Sequence, residues 1–235
     1  MAPGKTSRQG LPVRVIGEDK AVSRPWEIPR LHLVTDDEVL RGEDFLAIAR
    51  AVLEEGGPDL ALHLRGPGTE SRRLHSLACQ LREPAKRSGS MLLVNDRLDV
   101  VLTLDLWGGH LGQRSLPPGV ARRLLGPHRI LGLSVHGAEE AAEGKAGAVD
   151  FLVVGTIYAS DSHPERVGSG PGRIREVLKA LDIPVLAIGG ITPGRVAEVM
   201  AVGAHGVAVL SGVWASKDPA VAVGEYLEAL GETNR

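Results

Sequence analysis

The chain has 235 residues, 43% of them hydrophobic, and its 27 basic and 29 acidic residues give a formal net charge of −2. These charges are interleaved along the sequence, so we predict no surface for nucleic acid or for an anionic membrane. No apolar run approaches the roughly 20 residues that span a bilayer, and the N-terminus lacks the pattern of a secretory signal. We therefore expect a cytoplasmic protein that acts on a small molecule.

The first 30 residues differ in character from the rest of the chain. They contain Gly, Pro and mixed charges without a sustained helical or strand period. Such a segment is typical of a mobile or surface-draped extension. We therefore place the functional domain at residues 31–235.

From Leu31 onward, short apolar runs alternate with amphipathic segments, which is the pattern of parallel strands joined by crossover helices. The predicted strands are Leu31–Thr35, Leu60–Arg65, Met91–Asn95, Trp107–Gly112, Arg129–Ser134, Phe151–Gly155, Val185–Gly189 and Gly206–Leu210. The predicted helices include Phe45–Glu55, Glu70–Glu83, Ala138–Gly147, Ile174–Leu181, Arg195–Gly203 and Val221–Leu230. An open doubly wound sheet shares this alternation, but polar residues follow many of the strands, which favours a parallel (β/α)₈ TIM barrel.

Two glycine-containing loops follow the last two predicted strands. Gly189 and Gly190 end the seventh strand, and Ser211 and Gly212 end the eighth. Glycines allow backbone amides to approach a ligand closely, and phosphate-binding barrels use the loops after these two strands. The sequence therefore predicts a phosphate site there, against the alternative that the glycines serve only tight turns.

The fifth strand delivers Ser134 and His136 on one alternating face, just before a helix. A histidine at a barrel mouth can transfer a proton near neutral pH, whereas a structural cap of the following helix is the alternative. The eight histidines show no zinc-binding spacing, so we predict no metal. Cys79 is the single cysteine, and we predict a buried thiol without a disulfide.

Several strand-end motifs together resemble one family. They are LHLVTD at Leu31, VNDRLDV at Val94, HLGQRSL at His110, AIGGITP at Ala187 and AVLSG at Ala208. In this order they resemble the thiamine phosphate synthase superfamily, over Leu31 to Leu230. The segment GLSVHGAEEA around His136 is similar to the TenI branch of that superfamily, the thiazole tautomerases.

Departures from the synthase pattern favour the tautomerase branch. The synthases carry Gln-x-Arg-x-Lys after the second strand, a Thr-x-Thr-Lys loop after the sixth, and two aspartates for Mg²⁺. The corresponding residues here are His63, Arg65 and Pro67, then Ser160–His163, then Asp96 and Ser115. One carboxylate and fewer cations predict weak binding of a magnesium diphosphate. Asn95 and Asp96 remain open to two roles, as ligands or as caps of the next helix.

The resemblance then implies a thiazole tautomerase, an isomerase of thiamin biosynthesis that converts a carboxythiazole phosphate tautomer to the aromatic carboxythiazole phosphate. It implies His136 as the single acid–base and no cofactor. The predicted substrate-binding residues are Arg65, Asn95, Ser134, Thr156, Gly189, Gly190, Ser211 and Gly212. The alternatives are a thiamine phosphate synthase, which joins hydroxymethylpyrimidine pyrophosphate to thiazole phosphate, and a non-catalytic phosphate-ligand-binding barrel. A homodimer stays open as the oligomeric state.

Overall fold

The computed structural model describes residues 27–143, 148–159 and 168–233. Within them, eight parallel strands close into a barrel in which each strand pairs with its neighbours in chain order and β1 pairs with β8. The strands are β1 (Leu31–Val34), β2 (Leu60–Leu64), β3 (Met91–Asn95), β4 (Gly108–Leu111), β5 (Ile130–Val135), β6 (Phe151–Val154), β7 (Val185–Ile188) and β8 (Gly206–Val209). The predicted (β/α)₈ barrel and all eight predicted strands are confirmed.

Helices cover the outside of the barrel. They are α1 (Asp37–Arg41), α2 (Phe45–Gly56), α3 (Ser71–Ser88), α4 (Leu98–Leu104), α5 (Pro118–Leu125), α6 (Ala138–Glu143), α7 (Gly172–Ala180), α8 (Pro193–Ala201), α9 (Ser211–Trp214) and α10 (Pro219–Glu232). The six predicted helices correspond to α2, α3, α6, α7, α8 and α10. Helices α1 and α9 span about one turn, too short for a helical period to show in the sequence. No helix in the described ranges is long and apolar enough to cross a membrane.

Alternation along the strands divides the core into two layers. Outward-facing residues such as Leu31, Leu33 and Leu62 pack under the helices and are fully buried. Inward-facing residues form a second cluster that includes Ala61, Leu93, Phe151, Val153 and Leu186. The barrel is therefore filled with side chains and is not a pore.

Three histidines share the barrel interior with Phe151. The ring centroids of His32, His63 and His110 lie 5.0, 6.3 and 5.6 Å from that of Phe151. Gly132 leaves space for two of these rings, since a Cβ atom there would lie 2.2 Å from Phe151 and 2.4 Å from His110 Nδ1. His32 and His110 are buried and hydrogen-bonded, to His63 and to Ser134.

The N-terminal ends of the strands are closed by residues 27–30. Ile28 and Pro29 are buried, and Arg30 donates hydrogen bonds to the Leu230 carbonyl and the Thr233 hydroxyl at 2.9 and 2.8 Å. The predicted extension therefore ends before these residues, because they pack against the barrel. Residues 1–26 lie outside the described part of the chain, so the prediction of a mobile or surface-draped extension stays a prediction.

Cys79 corrects one sequence expectation. It lies on the outward face of α3 and is exposed. The helix buries Leu74, Leu77, Ala78 and Leu81 instead, so the apolar stripe runs beside the cysteine and not through it. The prediction of a buried thiol is wrong.

Candidate active site

A cavity of about 880 Å³ opens at the C-terminal ends of the strands, where barrel enzymes build their active sites. All nine predicted site residues line it: Arg65, Asn95, Ser134, His136, Thr156, Gly189, Gly190, Ser211 and Gly212. The structure brings them together because each lies at or just beyond the C-terminal end of its strand. Their individual roles remain predictions.

One wall of the cavity is made of the two glycine loops. Gly189 and Gly190 adopt positive φ angles of 101° and 61°, which glycine accepts without steric cost. A Cβ atom on Gly189 would lie 2.5 Å from Thr156 Cγ2. Ser211 and Gly212 open α9, and the first amides of a helix have no acceptor within it. The wall can therefore offer backbone N–H groups to an anion.

Tyr226, in α10, supports both glycine loops from behind. Its hydroxyl donates to the Ile191 carbonyl at 2.8 Å. A Cβ atom on Gly212 would lie 2.2 Å from the Tyr226 hydroxyl oxygen. Burial, together with the charge of Glu225, raises the pKa of Tyr226 to about 12, so the hydroxyl stays a donor. Sequence reasoning missed this residue because a tyrosine on an amphipathic helix is an ordinary core residue.

The Gly190 carbonyl is held from the outside by α8. Arg195 donates to it at 2.7 Å, and the Arg195 guanidinium stacks over the Tyr158 ring at 4.5 Å. Tyr158 in turn donates to Glu198 at 2.5 Å. These contacts fix the direction of the loop that follows β7.

The opposite wall carries charged side chains. Arg65, Arg97 and Arg114 line it together with Asp96. Asp96 Oδ1 accepts hydrogen bonds from the Gly112 amide at 3.0 Å and from the Ser115 hydroxyl. Apart from Arg65, these residues were absent from the predicted site. Asp96 had been left open between a ligand and a cap. The motif VNDR at the end of β3 was the signal that could have added Arg97.

The structure decides against the capping role of Asn95 and Asp96. Helix α4 begins at Leu98, its cap position is Arg97, and no side chain makes a cap hydrogen bond there. Asp96 has a φ of 64°, a left-handed conformation that aspartate tolerates better than most residues. Both side chains line the cavity instead.

His136 lies at the rim of the cavity and is about 42% exposed. The Gln113 amide nitrogen lies 2.7 Å from His136 Nδ1 and 2.8 Å from a carboxylate oxygen of Glu140. The same Glu140 oxygen accepts from the His136 backbone N–H at 2.8 Å. The imidazole is therefore oriented by neighbours on α6 and on the loop after β4.

A closed parallel barrel whose polar residues converge on the C-terminal mouth defines the class of β/α-barrel proteins that bind small ligands there. The sequence model described as thiamine monophosphate synthase matches residues 31–213. The chain therefore belongs to the thiamine monophosphate synthase family.

Individual relatives agree with this family. The chain is 38% identical over 205 residues to a thiamine-phosphate synthase of Salinispora arenicola, covering 86% of this chain and 97% of the relative. It is 37% identical to a thiamine-phosphate synthase of Chloroflexus aurantiacus, covering 86% and 92%. A solved thiamine phosphate pyrophosphorylase from Pyrococcus furiosus superposes with a TM-score of 0.75 at 30% identity, covering 87% and 96%.

These relatives overturn the prediction of a thiazole tautomerase, and with it the prediction of an isomerase. Proteins 36–38% identical over most of this chain are named thiamine-phosphate synthases, which are transferases. The prediction gave too much weight to the residues that differ from the synthase pattern. The Ser115 hydroxyl contacts the Asp96 carboxylate, and Arg114 adds a cation to the same cavity wall, whereas Arg97 is paired with Asp99.

Proposed function

We propose that this chain is a thiamine-phosphate synthase, a transferase that joins hydroxymethylpyrimidine pyrophosphate to thiazole phosphate and releases pyrophosphate. The observation that carries the proposal is the contrast between two walls of one cavity. One wall offers backbone amides at Gly189, Gly190 and Ser211. The other is lined by Arg65, Arg114 and Asp96, and by Arg97, whose guanidinium is paired with Asp99. A transferase of two phosphorylated substrates needs two anion sites, and the two walls can supply them.

The reaction forms one bond and breaks one. The thiazole nitrogen attacks the methylene carbon of the pyrimidine, the bond from that carbon to the diphosphate oxygen breaks, and its electron pair leaves with pyrophosphate. The glycine wall would hold the thiazole phosphate, and the charged wall would hold the diphosphate. Binding both at once converts a bimolecular step into one between neighbours.

Arg65 is the residue best placed to stabilise the leaving group. It follows β2, is half-buried, and its backbone is fixed by two hydrogen bonds with the Thr35 hydroxyl at 2.8 and 2.9 Å. Within the described residues its guanidinium makes no ion pair. A positioned guanidinium beside a departing diphosphate lowers the barrier because negative charge grows on the leaving oxygen.

A synthase of the pattern described above uses Mg²⁺, and the described residues fit this ion in a minimal form. They hold no group of three metal-binding side chains, but Mg²⁺ is commonly held by one or two carboxylates, substrate phosphates and water. Asp96 Oδ1 is oriented by Gly112 and Ser115, and Oδ2 accepts no hydrogen bond from the described residues. Asp96 would therefore hold the ion, which when bound supplies positive charge to the diphosphate.

The role of His136 changes with the function. Coupling the two substrates requires no proton shuttle between carbon atoms, so the acid–base role that followed from the tautomerase has no place. His136 and Gln113 remain in the cavity wall, and we place them beside the substrates as contact residues.

The test is a coupling assay with the purified full-length protein, both substrates and Mg²⁺. We expect thiamine phosphate and pyrophosphate in equal amounts, and Arg65→Ala should lower the rate roughly 10²-fold. Arg50→Ala is the matched control, because Arg50 is exposed on α2 outside the cavity. Binding of both substrates without product would contradict the proposal and identify a binding barrel without turnover.

A further inference from the structure

A row of hydrogen-bonding groups runs through the barrel interior, from the closed end to the floor of the cavity. The Pro29 carbonyl lies 3.0 Å from His32 Nε2, and His32 Nδ1 lies 2.7 Å from His63 Nε2. His63 Nδ1 then lies 3.3 Å from the carboxamide of Asn95. His63 and Asn95 line the cavity, whereas His32 lies behind them with 0% exposure.

All hydrogen bonds in this row are donated in the same direction, because the first group, the Pro29 carbonyl, can only accept a hydrogen bond. A backbone carbonyl has no hydrogen to give, so His32 Nε2 must donate to Pro29. In a neutral His32 the other nitrogen, Nδ1, is then an acceptor, and His63 Nε2 must donate to it. A neutral His63 has no second hydrogen, so its Nδ1 must accept from Asn95.

The surroundings keep both rings neutral. Among the described residues, the His32 ring contacts the Pro29 carbonyl, His63 and Phe151. The His63 ring contacts His32, Phe151, His110 and Asn95. No carboxylate makes a hydrogen bond or an ion pair with either ring in the described residues. Burial lowers the pKa of His63 to about 4 and, together with His63 and His110, lowers that of His32 well below its usual value.

These donor and acceptor assignments determine which end of the Asn95 carboxamide faces His63 Nδ1. The atom placed near His63 Nδ1 is Oδ1, which would set two acceptors against each other. The two ends of a carboxamide have nearly the same shape and are assigned by their hydrogen bonds. Turning the carboxamide over satisfies His63 and aims the oxygen away from the barrel interior.

We propose that His32 is a positioning residue that acts through His63 to hold the Asn95 nitrogen toward the histidines and the Asn95 oxygen toward the cavity. The cavity floor then offers a hydrogen-bond acceptor, which recognises an N–H group and repels a phosphate oxygen. The chemical group that fits is the amino group of an amino-substituted pyrimidine. This assignment rests on the proposed function, whose pyrimidine substrate carries such a group.

The first experiment reads the tautomers in the ligand-free, full-length protein. Two-bond ¹H–¹⁵N correlation spectra of protein labelled with ¹⁵N-histidine distinguish the two ring nitrogens. At pH 7 we expect the hydrogen on Nε2 in both His32 and His63. A hydrogen on His63 Nδ1, or on both nitrogens of that ring, overturns the proposal whatever reaction the protein catalyses.

The second experiment measures the consequence for binding. The probes are 4-amino-5-hydroxymethyl-2-methylpyrimidine and the analogue with hydrogen in place of the amino group. We expect the unmodified protein to bind the amino compound about tenfold more tightly, the value of one good hydrogen bond. His32→Phe keeps a buried ring but frees His63 to change tautomer, so we expect that preference to fall to about onefold to threefold. Thiazole phosphate affinity should stay unchanged.

His205→Phe is the matched control. His205 Nε2 lies 2.8 Å from the Ile28 carbonyl at the same end of the barrel, so this variant also loses a histidine bond to a backbone carbonyl. Its ring makes no hydrogen bond to His32 or His63 in the described residues, so the amino preference should survive.

If His32→Phe retains the full preference, or the unmodified protein has none, the positioning role is wrong. Should His32→Phe fail to fold, the tautomer spectra decide. An amino preference without any thiamine phosphate formation would keep this inference and reject the proposed function.

Discussion

The histidines inside the barrel predict that the protein loses stability when the pH falls from about 7 to 5. In the unfolded chain each ring takes up a proton near pH 6.5. In the folded protein burial lowers the pKa of His63 to about 4, and it lowers those of His32 and His110 well below the usual value. Between these limits the unfolded state binds more protons than the folded state. Stability is therefore fully present above pH 6.5 and declines as the pH falls toward 4.

The magnitude follows from the lowered pKa of one ring. For His63, the gap between 6.5 and about 4 corresponds to roughly 3 kcal/mol of unfolding free energy, at about 1.4 kcal/mol per pH unit. The other two rings act in the same direction. By pH 5 the loss from His63 is about 2 kcal/mol, a large part of the roughly 5–15 kcal/mol by which a domain is usually stable.

Urea unfolding between pH 7.5 and 5.0 measures this slope. His63→Gln should reduce it by up to about 1.4 kcal/mol per pH unit near pH 5, since one buried titrating ring is removed. His75→Gln, an exposed position on α3, is the control and should leave the slope as it was. A stability that is flat from pH 7 to 5, or an unchanged slope in His63→Gln, would refute the reasoning.

Four further changes test the site and the boundary of the barrel. Asp96→Asn should lower the coupling rate at fixed Mg²⁺ by about 10²-fold, measured as pyrophosphate release, because the cavity wall loses its carboxylate. Tyr226→Phe should cost about 1–3 kcal/mol in urea unfolding by leaving the Ile191 carbonyl unpaired. Gly212→Ala should weaken thiazole phosphate binding through its clash with Tyr226, measured by calorimetry. Deleting residues 1–27 should shift the melting temperature by only a few degrees, because the Arg30 contacts remain.

Each of these expectations has an outcome that would contradict it. An Asp96→Asn enzyme with the normal Mg²⁺ dependence would place the ion elsewhere. Equal stability of Tyr226→Phe would mean that water replaces the lost donor. Gly231→Ala is the control for the glycine variant, because nothing lies within 4 Å of a Cβ atom there. An insoluble truncated chain would show that the extension covers an apolar surface.

The fold was predictable because the inward and outward faces of each strand alternate and the turns are marked in the sequence. The position of the site followed from the same pattern, since strand ends of a parallel barrel meet at one mouth. The branch of the family was not predictable in this way. The segment around His136 indicated the tautomerases. The contact between Asp96 and Ser115 joins residues that are 19 positions apart in the chain, so it could not be read from the sequence.

The contacts among the histidines inside the barrel could not be predicted from the sequence either. His32, His63 and His110 lie on three different strands, and each alone reads as an ordinary core residue. Only the strand register brings His32 and His63 within 2.7 Å of each other. Tyr226 was hidden for a similar reason, because its partner carbonyl at Ile191 is 35 residues away.

The contacts of Arg30 have a practical consequence for engineering. Its guanidinium joins the residues before β1 to Leu230 and Thr233 at the end of α10, so the first and last residues of the barrel are neighbours on the side remote from the cavity. A short linker could join them, which would allow new termini to be opened in a surface loop. Tags or fused domains attached after residue 233 would likewise emerge far from the cavity mouth and leave it open to substrate.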